Sequence, residues 1–316
     1  MTYDFEFGNG IGRLRASLFA ALILILASCN STDSFTPTGT DDPQAIDQGE
    51  PVVASLATAY AGGIPFGHFR LPTTELGSRY NGITRNIDPN RLRDELAAIK
   101  SRGGKIALAM AGPERYYKDS YGHFSFTKWK ARVDRYKSIN FSSYITDGTI
   151  IGNFLIDEPQ DPKNWNNRPI PPSTLEAMAQ YSKQRWPSMV TIVRTWPDYL
   201  DNWSGTYHYL DAAWAQYAAN RWPNVNDFAT TNINKAKAKG LALIVGMNIL
   251  YGSPTRGPMS PNQIRSYGSA LLNSTYPCAF ISWMYTDKYM SQSGVKDAMS
   301  YLRSKAQSRG FKTCHR

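Results

Sequence analysis

The chain has 316 residues, of which 42% are hydrophobic and 13% aromatic, and its formal net charge is +10. This composition excludes a wholly disordered chain and provides apolar side chains for one large domain or two small ones. The four histidines, His68, His123, His208 and His315, lack the spacing of metal ligands, and the sequence contains no Gly-x-Ser-x-Gly motif. We therefore expect no metal site, no cofactor and no serine hydrolase of the nucleophile-elbow type.

The N-terminal segment has the features of a secretory signal. Arg13 and Arg15 precede an apolar stretch, residues 16–26, that is too short to span a membrane as a helix. The residues Leu-Ala-Ser-Cys at 26–29 resemble the lipobox of bacterial lipoproteins, which implies cleavage before Cys29 and diacylation of its sulfur. We predict a lipoprotein signal peptide at 1–28 and an exported protein held by lipid to a bacterial cell membrane. An ordinary signal peptide with an incidental cysteine is the alternative.

Residues 29–50 are rich in Ser, Thr, Asp and Pro, with five acidic residues and no Lys or Arg. Such a segment buries too little apolar surface to order itself, so we predict a disordered tether. Residues 51–316 carry 33 Lys and Arg against 18 Asp and Glu, a net charge of +15. This charge favours an acidic polysaccharide or a lipid headgroup layer as partner, or it is only a solvated basic surface. For an exported protein we exclude nucleic acid, and we expect a monomer.

From residue 51 onward, apolar runs of strand length alternate with amphipathic stretches of helical spacing. This pattern indicates parallel strands connected by helices. It fits an α/β fold with a single (β/α)8 barrel of the TIM type, which usually takes about 250 residues, over residues 51–316. An open doubly wound sheet is the alternative, but no Gly-rich turn between a strand and a helix supports it. Seven strands are clear: 64–69, 105–110, 149–156, 189–195, 210–217, 241–250 and 278–286.

The eighth strand is either 52–59 or the Phe-Ser-Ser-Tyr-Ile segment near Tyr144. Four helices have start and stop signals. One opens at Asp88-Pro89 and closes at Gly103-Gly104, two open at Pro172-Ser173 and Ser260-Pro261, and the last covers 295–309 before Gly310.

Cys278 and Cys314 remain as a pair once Cys29 is assigned to the lipid anchor. An exported protein meets conditions in which disulfides form, so we predict a bridge that fixes the C-terminal tail to the barrel. Two unpaired thiols are the alternative.

The carboxyl ends of the predicted strands are rich in polar and aromatic residues, and barrel enzymes place their sites at these ends. Aromatic faces mixed with carboxylates, amides and guanidinium groups suit a sugar, which has apolar faces and a rim of hydroxyls. Trp196, Trp203, Trp214, Trp222 and Trp283 are candidates for a sugar platform, although any single Trp could instead fill the core; Trp283 is favoured because it lies near a strand end beside Tyr285 and Asp287. The predicted substrate-binding residues are His68, Arg70, Arg194, Trp196, Gln216, Tyr217, Asn248, Trp283 and Tyr285. His68 could instead be a buried histidine.

The run 149–159 ends in Asp157, Glu158 and Pro159. This ending is similar to the Asn-Glu-Pro that closes strand four in clan A of the retaining glycoside hydrolases. The resemblance implies that Glu158 is the acid/base and that its neighbour binds a sugar hydroxyl. Counted backward from a last strand carrying Trp283, the run 149–156 is strand four. Trp283 then matches the platform Trp of strand eight.

The sequence departs from clan A at strand seven, where the clan has its nucleophilic Glu and this chain has Asn248. Glycoside hydrolysis ordinarily needs two carboxylates. Alternate side chains of a strand point to opposite faces, so Asp157 and Glu158 both face a site only if the chain bends there. We predict Glu158 as general acid and Asp287 as its partner. The other candidates for the second carboxylate are Asp157, Glu75, Glu114 and Asp198.

The hypothesis from sequence is a glycoside hydrolase acting on an extracytoplasmic glycan. A non-catalytic, surface glycan-binding lipoprotein on the same scaffold is the alternative, and the missing carboxylate of strand seven favours it. A third possibility is a barrel that acts on acidic surface polymers, suggested by the basic domain and by Arg70, Arg115 and Arg194 near strand ends.

Overall fold

The computed structural model describes residues 63–316, and it confirms the predicted (β/α)8 barrel. Eight parallel strands close in sequence order, each paired with its neighbours in the chain and β1 with β8. The strands are Phe66–Phe69 (β1), Gly82–Arg85 (β2), Lys105–Leu108 (β3), Ile150–Asp157 (β4), Thr191–Arg194 (β5), Ala212–Tyr217 (β6), Ala242–Met247 (β7) and Ala279–Ser282 (β8).

Helices connect most of the strands. Within residues 63–316 the α-helices are Leu92–Ser101 (α1), Phe126–Asp134 (α2), Ser142–Thr146 (α3), Pro172–Arg185 (α4), Pro197–Asp201 (α5), Val225–Ala238 (α6), Pro261–Asn273 (α7), Asp287–Met290 (α8) and Ser293–Gln307 (α9). Short 3-10 helices cover Thr73–Glu75, Pro89–Arg91 and Glu114–Tyr116.

Two of the predicted helix start signals form capping hydrogen bonds. The Asp88 side chain accepts a hydrogen bond from the backbone N–H of Asn90, and Ser260 forms a capping box with Gln263. These bonds satisfy N–H groups that have no partner in the first helical turn.

The prediction of the eighth strand was wrong. The missing strand is β2, Gly82–Arg85, between the first and second of the predicted runs. The segment near Tyr144 is the helix α3, and residues 52–59 lie outside the described part of the chain. Strand β2 begins at a glycine because a Cβ there would lie 2.8 Å from the backbone nitrogen of Phe66 on β1.

The inside of the barrel is filled by an inner cluster of mostly small and β-branched residues around Phe154 and Trp214. Its buried members are Ala107, Ala109, Ile151, Phe154, Ile192, Ala212, Trp214, Ala242, Ile244, Cys278, Ala279, Ile281 and Cys314. The rings of Phe154 and Trp214 lie 5.4 Å apart, edge to face, and the Trp214 indole N–H donates to the Ile281 carbonyl at 3.1 Å. Because of this packing the barrel interior is a core, and a ligand can bind only above it.

The predicted disulfide between Cys278 and Cys314 is formed, with Cα atoms 5.2 Å apart. Cys278 directly precedes β8, so the bridge lies at the amino-terminal end of the strands. Both cysteines are buried and belong to the inner cluster. The C-terminal tail therefore packs against this end of the barrel.

Between residues 63 and 316, no helix has the length and apolar character needed to cross a membrane. The predicted signal peptide, Cys29 and the tether precede the described residues.

Candidate functional site

The backbone bends sharply where β4 ends. Asp157 is the last residue of the strand and pairs with Arg194, the last residue of β5. Glu158 follows with a φ of +39°, in the left-handed region that residues other than glycine rarely adopt. Its backbone N–H donates to the Arg194 carbonyl at 3.0 Å. The bend breaks the strict alternation of strand side chains, so the two adjacent carboxylates have different surroundings.

Asp157 is occupied by an ion pair inside the barrel mouth. Both of its carboxylate oxygens accept hydrogen bonds from the Arg194 guanidinium, the second at 2.7 Å from Nη2. Arg194 is 7% exposed, and its Nη1 donates to the Gln216 side chain at 2.9 Å. The guanidinium carbon also lies 4.7 Å from the ring centre of Trp283. Asp157, Arg194 and Gln216 thus form one hydrogen-bonded network.

The Glu158 carboxylate is 34% exposed and lies 3.6 Å from Arg194 Nη2. Burial raises the pKa of Glu158; the nearby charges of Asp157 and Asp161 add to the effect, whereas Arg194 and Arg221 oppose it. A carboxyl group that keeps its proton more readily than a solvated one is suited to act as a general acid.

The cleft around Glu158 combines amide, hydroxyl, guanidinium and aromatic groups. Its lining residues are Glu158, Gln160, Arg194, Thr195, Trp196, Trp214, Gln216, Ala218, Arg221 and Asn248. Four of the predicted substrate-binding residues, Arg194, Trp196, Gln216 and Asn248, are therefore brought together with Glu158. The side-chain nitrogen of Gln216 is buried without a hydrogen-bond partner among residues 63–316, so it remains available as a donor. The arrangement can hold hydroxyl groups and present an acid to them.

Asn248 comes directly after β7 and lines the cleft, so the structure places an amide at the carboxyl end of strand seven. It forms an isolated parallel bridge with Trp283, and its side-chain oxygen accepts the Tyr251 N–H at 3.2 Å. An amide neither accepts a proton readily nor attacks as a nucleophile, so a second carboxylate must come from elsewhere.

A second half-buried carboxylate, Glu114, lies on the loop after β3, next to the end of β4. Lys118 Nζ lies 3.0 Å from its carboxylate. Burial raises the pKa of Glu114, the ion pair with Lys118 opposes this, and the negative charges of Asp157 and Glu158 raise it further. The charge of Glu158 therefore reaches Glu114.

Trp165 contacts the backbone of Glu158 and also Lys118, the ion-pair partner of Glu114. This fully buried residue donates its indole N–H to the Glu158 carbonyl at 3.0 Å, and Lys118 lies 4.9 Å from its ring centre. The sequence analysis did not single out Trp165, since it follows Glu158 in an irregular loop without strand or helix periodicity. Gln160, Thr195 and Arg221 were also missed, although Gln160 and Thr195 adjoin residues that were selected.

Asp287, the predicted partner of Glu158, lines a different cleft. The residues of this second cleft are Glu75, Arg79, Tyr80, Tyr285, Asp287, Met290, Ser291 and Lys296. Burial and a hydrogen bond with Asp287 raise the pKa of Tyr285 to about 12. The structure therefore groups Asp287 with Tyr285 and Glu75, and does not bring any of these three into the cleft of Glu158.

The remaining predicted residues are distributed through the core and the surface. His68 is buried beside Tyr80, and burial lowers the pKa of His68 to about 3, so it is neutral. Tyr217 is fully buried and packs against Phe228. Arg70 is exposed after β1, and Asp198 forms an ion pair with Lys235. None of these four side chains lines the cleft of Glu158.

Only Trp196 among the five platform candidates is a partly exposed side chain lining the cleft. Trp214 is fully buried beneath it, Trp203 packs on Tyr207 and Trp222 packs on Phe228. Trp283 is partly buried, but Phe69 lies 4.8 Å from its ring and Arg194 covers it.

Residues 63–316 contain no group of three or more His, Cys, Asp and Glu side chains placed to hold a metal ion.

Comparison with known proteins finds no matching family model and no matching curated protein. Solved structures do match. Xylanase 10B from Thermotoga maritima superposes with a TM-score of 0.50 at 13% identity, covering 80% of this chain and 98% of that one. An endocellulase from Pyrococcus horikoshii gives 0.50 at 10% identity, covering 76% and 91%.

An exo-β-1,4-mannosidase from Opitutaceae bacterium strain TAV5 gives a TM-score of 0.55 at 12% identity, covering 78% of this chain and 60% of that one. At these identities the likeness concerns the fold alone. The expected resemblance to clan A is confirmed at that level: the chain has the (β/α)8 barrel fold of these glycoside hydrolases.

Proposed function

We propose that the protein is a glycoside hydrolase in which Glu158 is the general acid. The observation that carries this proposal is the position of Glu158, half-buried at the carboxyl end of β4 and separated from Asp157 by the bend. Burial raises the pKa of Glu158, as an acid catalyst requires. The same cleft presents Trp196, Gln216 and Asn248, which suit the faces and hydroxyls of a sugar.

The second carboxylate has two candidates. Asp287 is the partner expected from the sequence, but it lines the second cleft. Glu114 lies on the loop after the neighbouring strand, and the charge of Glu158 contributes to the raised pKa of Glu114. Asp157 is held by Arg194 and is less available. Neither Glu114 nor Asp287 lines the cleft of Glu158, and we prefer Glu114 as the base or nucleophile because the charge of Glu158 acts on it.

The test is turnover of a panel of aryl glycosides and oligosaccharides by single variants. General acid catalysis contributes about 10²- to 10⁴-fold, so Glu158→Gln should lose kcat by that factor while retaining glycan binding. A glycoside with a good leaving group needs less protonation and should recover part of the loss. Glu114→Gln and Asp287→Asn are the matched pair for the second carboxylate, and only one of them should abolish turnover. Full activity of Glu158→Gln on every substrate would remove Glu158 from the mechanism.

A second candidate function is glycan binding without hydrolysis. The observation that favours it is Asn248 at the end of β7, where a carboxylate would otherwise complete the site. A binding protein would show no turnover of any panel glycoside, yet its affinity would fall when Trp196 is replaced by Ala. Measurable hydrolysis that Glu158→Gln abolishes would exclude this candidate.

For the cellular location we propose export and a lipid anchor on Cys29. The support is the sequence of residues 13–29, which precedes the described part of the structure. Expressed in a bacterium, the wild-type protein should fractionate with membranes and incorporate labelled palmitate, whereas Cys29→Ser should do neither. Membrane association that persists in Cys29→Ser would refute the anchor.

A further inference from the structure

The cleft of Glu158 contains a second arginine, Arg221. It lies in the turn after β6, where its backbone N–H donates to the Ala218 carbonyl at 3.0 Å. The side chain is exposed and lines the same cleft as Glu158. Its charge acts on Glu158 and lowers the pKa of that carboxyl. Across residues 63–316, no carboxylate forms an ion pair with Arg221 at contact distance.

The charges of the cleft do not balance in the state that acid catalysis requires. Arg194 is matched by Asp157, which binds it through both carboxylate oxygens. Among the lining residues that the structure describes, Glu158 is the only carboxylate, and it must be protonated, hence neutral, to donate a proton. Within residues 63–316, Arg221 is then the one charge in the lining that has no counter-charge.

We propose that the cleft takes a glycan bearing a carboxylate, such as a uronic acid residue, and that Arg221 is the residue that selects it. A guanidinium presents paired donors that match a carboxylate, and the exposed side chain of Arg221 is free to adjust to it. Trp196 and the unpartnered amide nitrogen of Gln216 lie in the same lining and serve the neutral part of the sugar. The net charge of +15 on residues 51–316 attracts acidic polymers to the surface.

This inference rests on the proposed function in one respect, the protonated state of Glu158 during reaction. Binding is therefore measured on Glu158→Gln, in which an uncharged side chain of the same size replaces the carboxyl group. The probes are trisaccharides of galacturonate, glucuronate and mannuronate, each paired with its methyl ester, which has nearly the same size but no charge. Isothermal titration calorimetry gives the Kd of each at low and moderate salt.

We expect at least one acid to bind about 10- to 100-fold more tightly than its methyl ester, the gain typical of a charge-assisted hydrogen bond. Adding Arg221→Gln should remove this preference and leave the affinity for the ester within about twofold. Arg93→Gln, which removes an exposed arginine of α1 that does not line the cleft, should leave the preference intact. Esters that bind as tightly as the acids, acids that do not bind at all, or a preference that survives Arg221→Gln would overturn the inference.

The same measurements separate this inference from the proposed hydrolase. If uronates bind through Arg221 but the wild-type protein cleaves none of them, hydrolysis fails and the selectivity stands. If the wild-type protein cleaves glycans but the acids bind no more tightly than their methyl esters, the selectivity fails and hydrolysis stands.

Discussion

Arg194 binds both oxygens of Asp157, and because of this ion pair the two adjacent acids at the end of β4 have different roles. Asp157 becomes part of the support of the barrel mouth, whereas Glu158, beyond the bend, remains in the cleft with its pKa raised by burial. Asp157 and Arg194 are the last residues of β4 and β5 and are register partners in the sheet. The strand pairing therefore holds the two side chains next to each other.

We expect Asp157→Asn to destabilise the fold by about 3 kcal/mol, because it leaves the buried Arg194 charge without its partner. Urea unfolding followed by circular dichroism measures this loss. Asp134→Asn is the matched control, since its ion pair with Arg185 is about 30% exposed on both sides. That variant should lose about 1 kcal/mol or less. Equal losses in the two variants would show that the Asp157 pair has no special structural role.

The raised pKa of Glu158 predicts the pH dependence of stability. Because the folded state favours the protonated carboxyl, the stability that Glu158 contributes is complete below its unfolded-state pKa. It is lost as pH rises through the raised folded-state pKa. Glu158→Gln removes this loss, so its Tm should exceed the wild-type value by about 2 °C near neutral pH and match it at acid pH. Thermal unfolding across pH tests this; a lower Tm at neutral pH would contradict it.

The raised pKa of Glu158 should also affect the pH dependence of activity. The basic limb of the profile of kcat/KM against pH should lie at a higher pH than the ordinary pKa of a glutamate. Charged groups around Glu158 are Asp157, Asp161, Arg194, Arg221 and Glu114. Since Arg221 lowers the pKa of Glu158, Arg221→Gln should move the basic limb to higher pH. A limb that moves to lower pH would contradict this arrangement.

Trp165 should matter for catalysis as well as for stability. Trp165→Phe keeps an aromatic side chain but removes the indole N–H that donates to the Glu158 carbonyl, so we expect kcat to fall by about 10-fold through misplacement of the acid. Trp129→Phe is the matched control, because Trp129 donates in the same way to the Leu155 carbonyl at 2.9 Å, within β4. It should reduce Tm without a selective effect on kcat. Equal kcat values for Trp165→Phe and wild type would refute this role.

Loss of the disulfide should lower the free energy of unfolding by about 2–4 kcal/mol, since the bridge closes a loop between residues 36 positions apart. Cys314→Ser should therefore melt at a lower temperature than wild type. Reducing agent should lower the Tm of the wild-type protein to that of Cys314→Ser and leave the variant unchanged. A wild-type Tm insensitive to full reduction would contradict this.

The barrel could be predicted from sequence because most of its strands are long apolar runs separated by helices with clear start signals. Strand β2 could not, because Gly-Ile-Thr-Arg contains one large apolar residue and is held by close backbone approach at its glycine. Hydrophobic periodicity carries no signal for such a strand.

In the site, five residues could be selected because each lies at or near the carboxyl end of a strand: Glu158, Arg194, Trp196, Gln216 and Asn248. The division between Asp157 and Glu158 depends on the bend and on the register of β4 against β5, which shifts between Phe154 and Ile156. Register and bend are tertiary properties, so spacing along one strand could not reveal them. Asp287 also follows a strand closely, but the loop after β8 places its side chain in the second cleft.

The disulfide also determines on which side of the barrel a support or a fused protein can be attached. Cys314 is bound to Cys278 at the amino-terminal end of β8, and the Arg316 side chain donates to the Tyr207 carbonyl. The cleft of Glu158 lies at the opposite ends of the strands. A solid support or a fluorescent protein joined to the C-terminus would therefore be attached on the far side from the cleft and would leave access to polymeric substrates open.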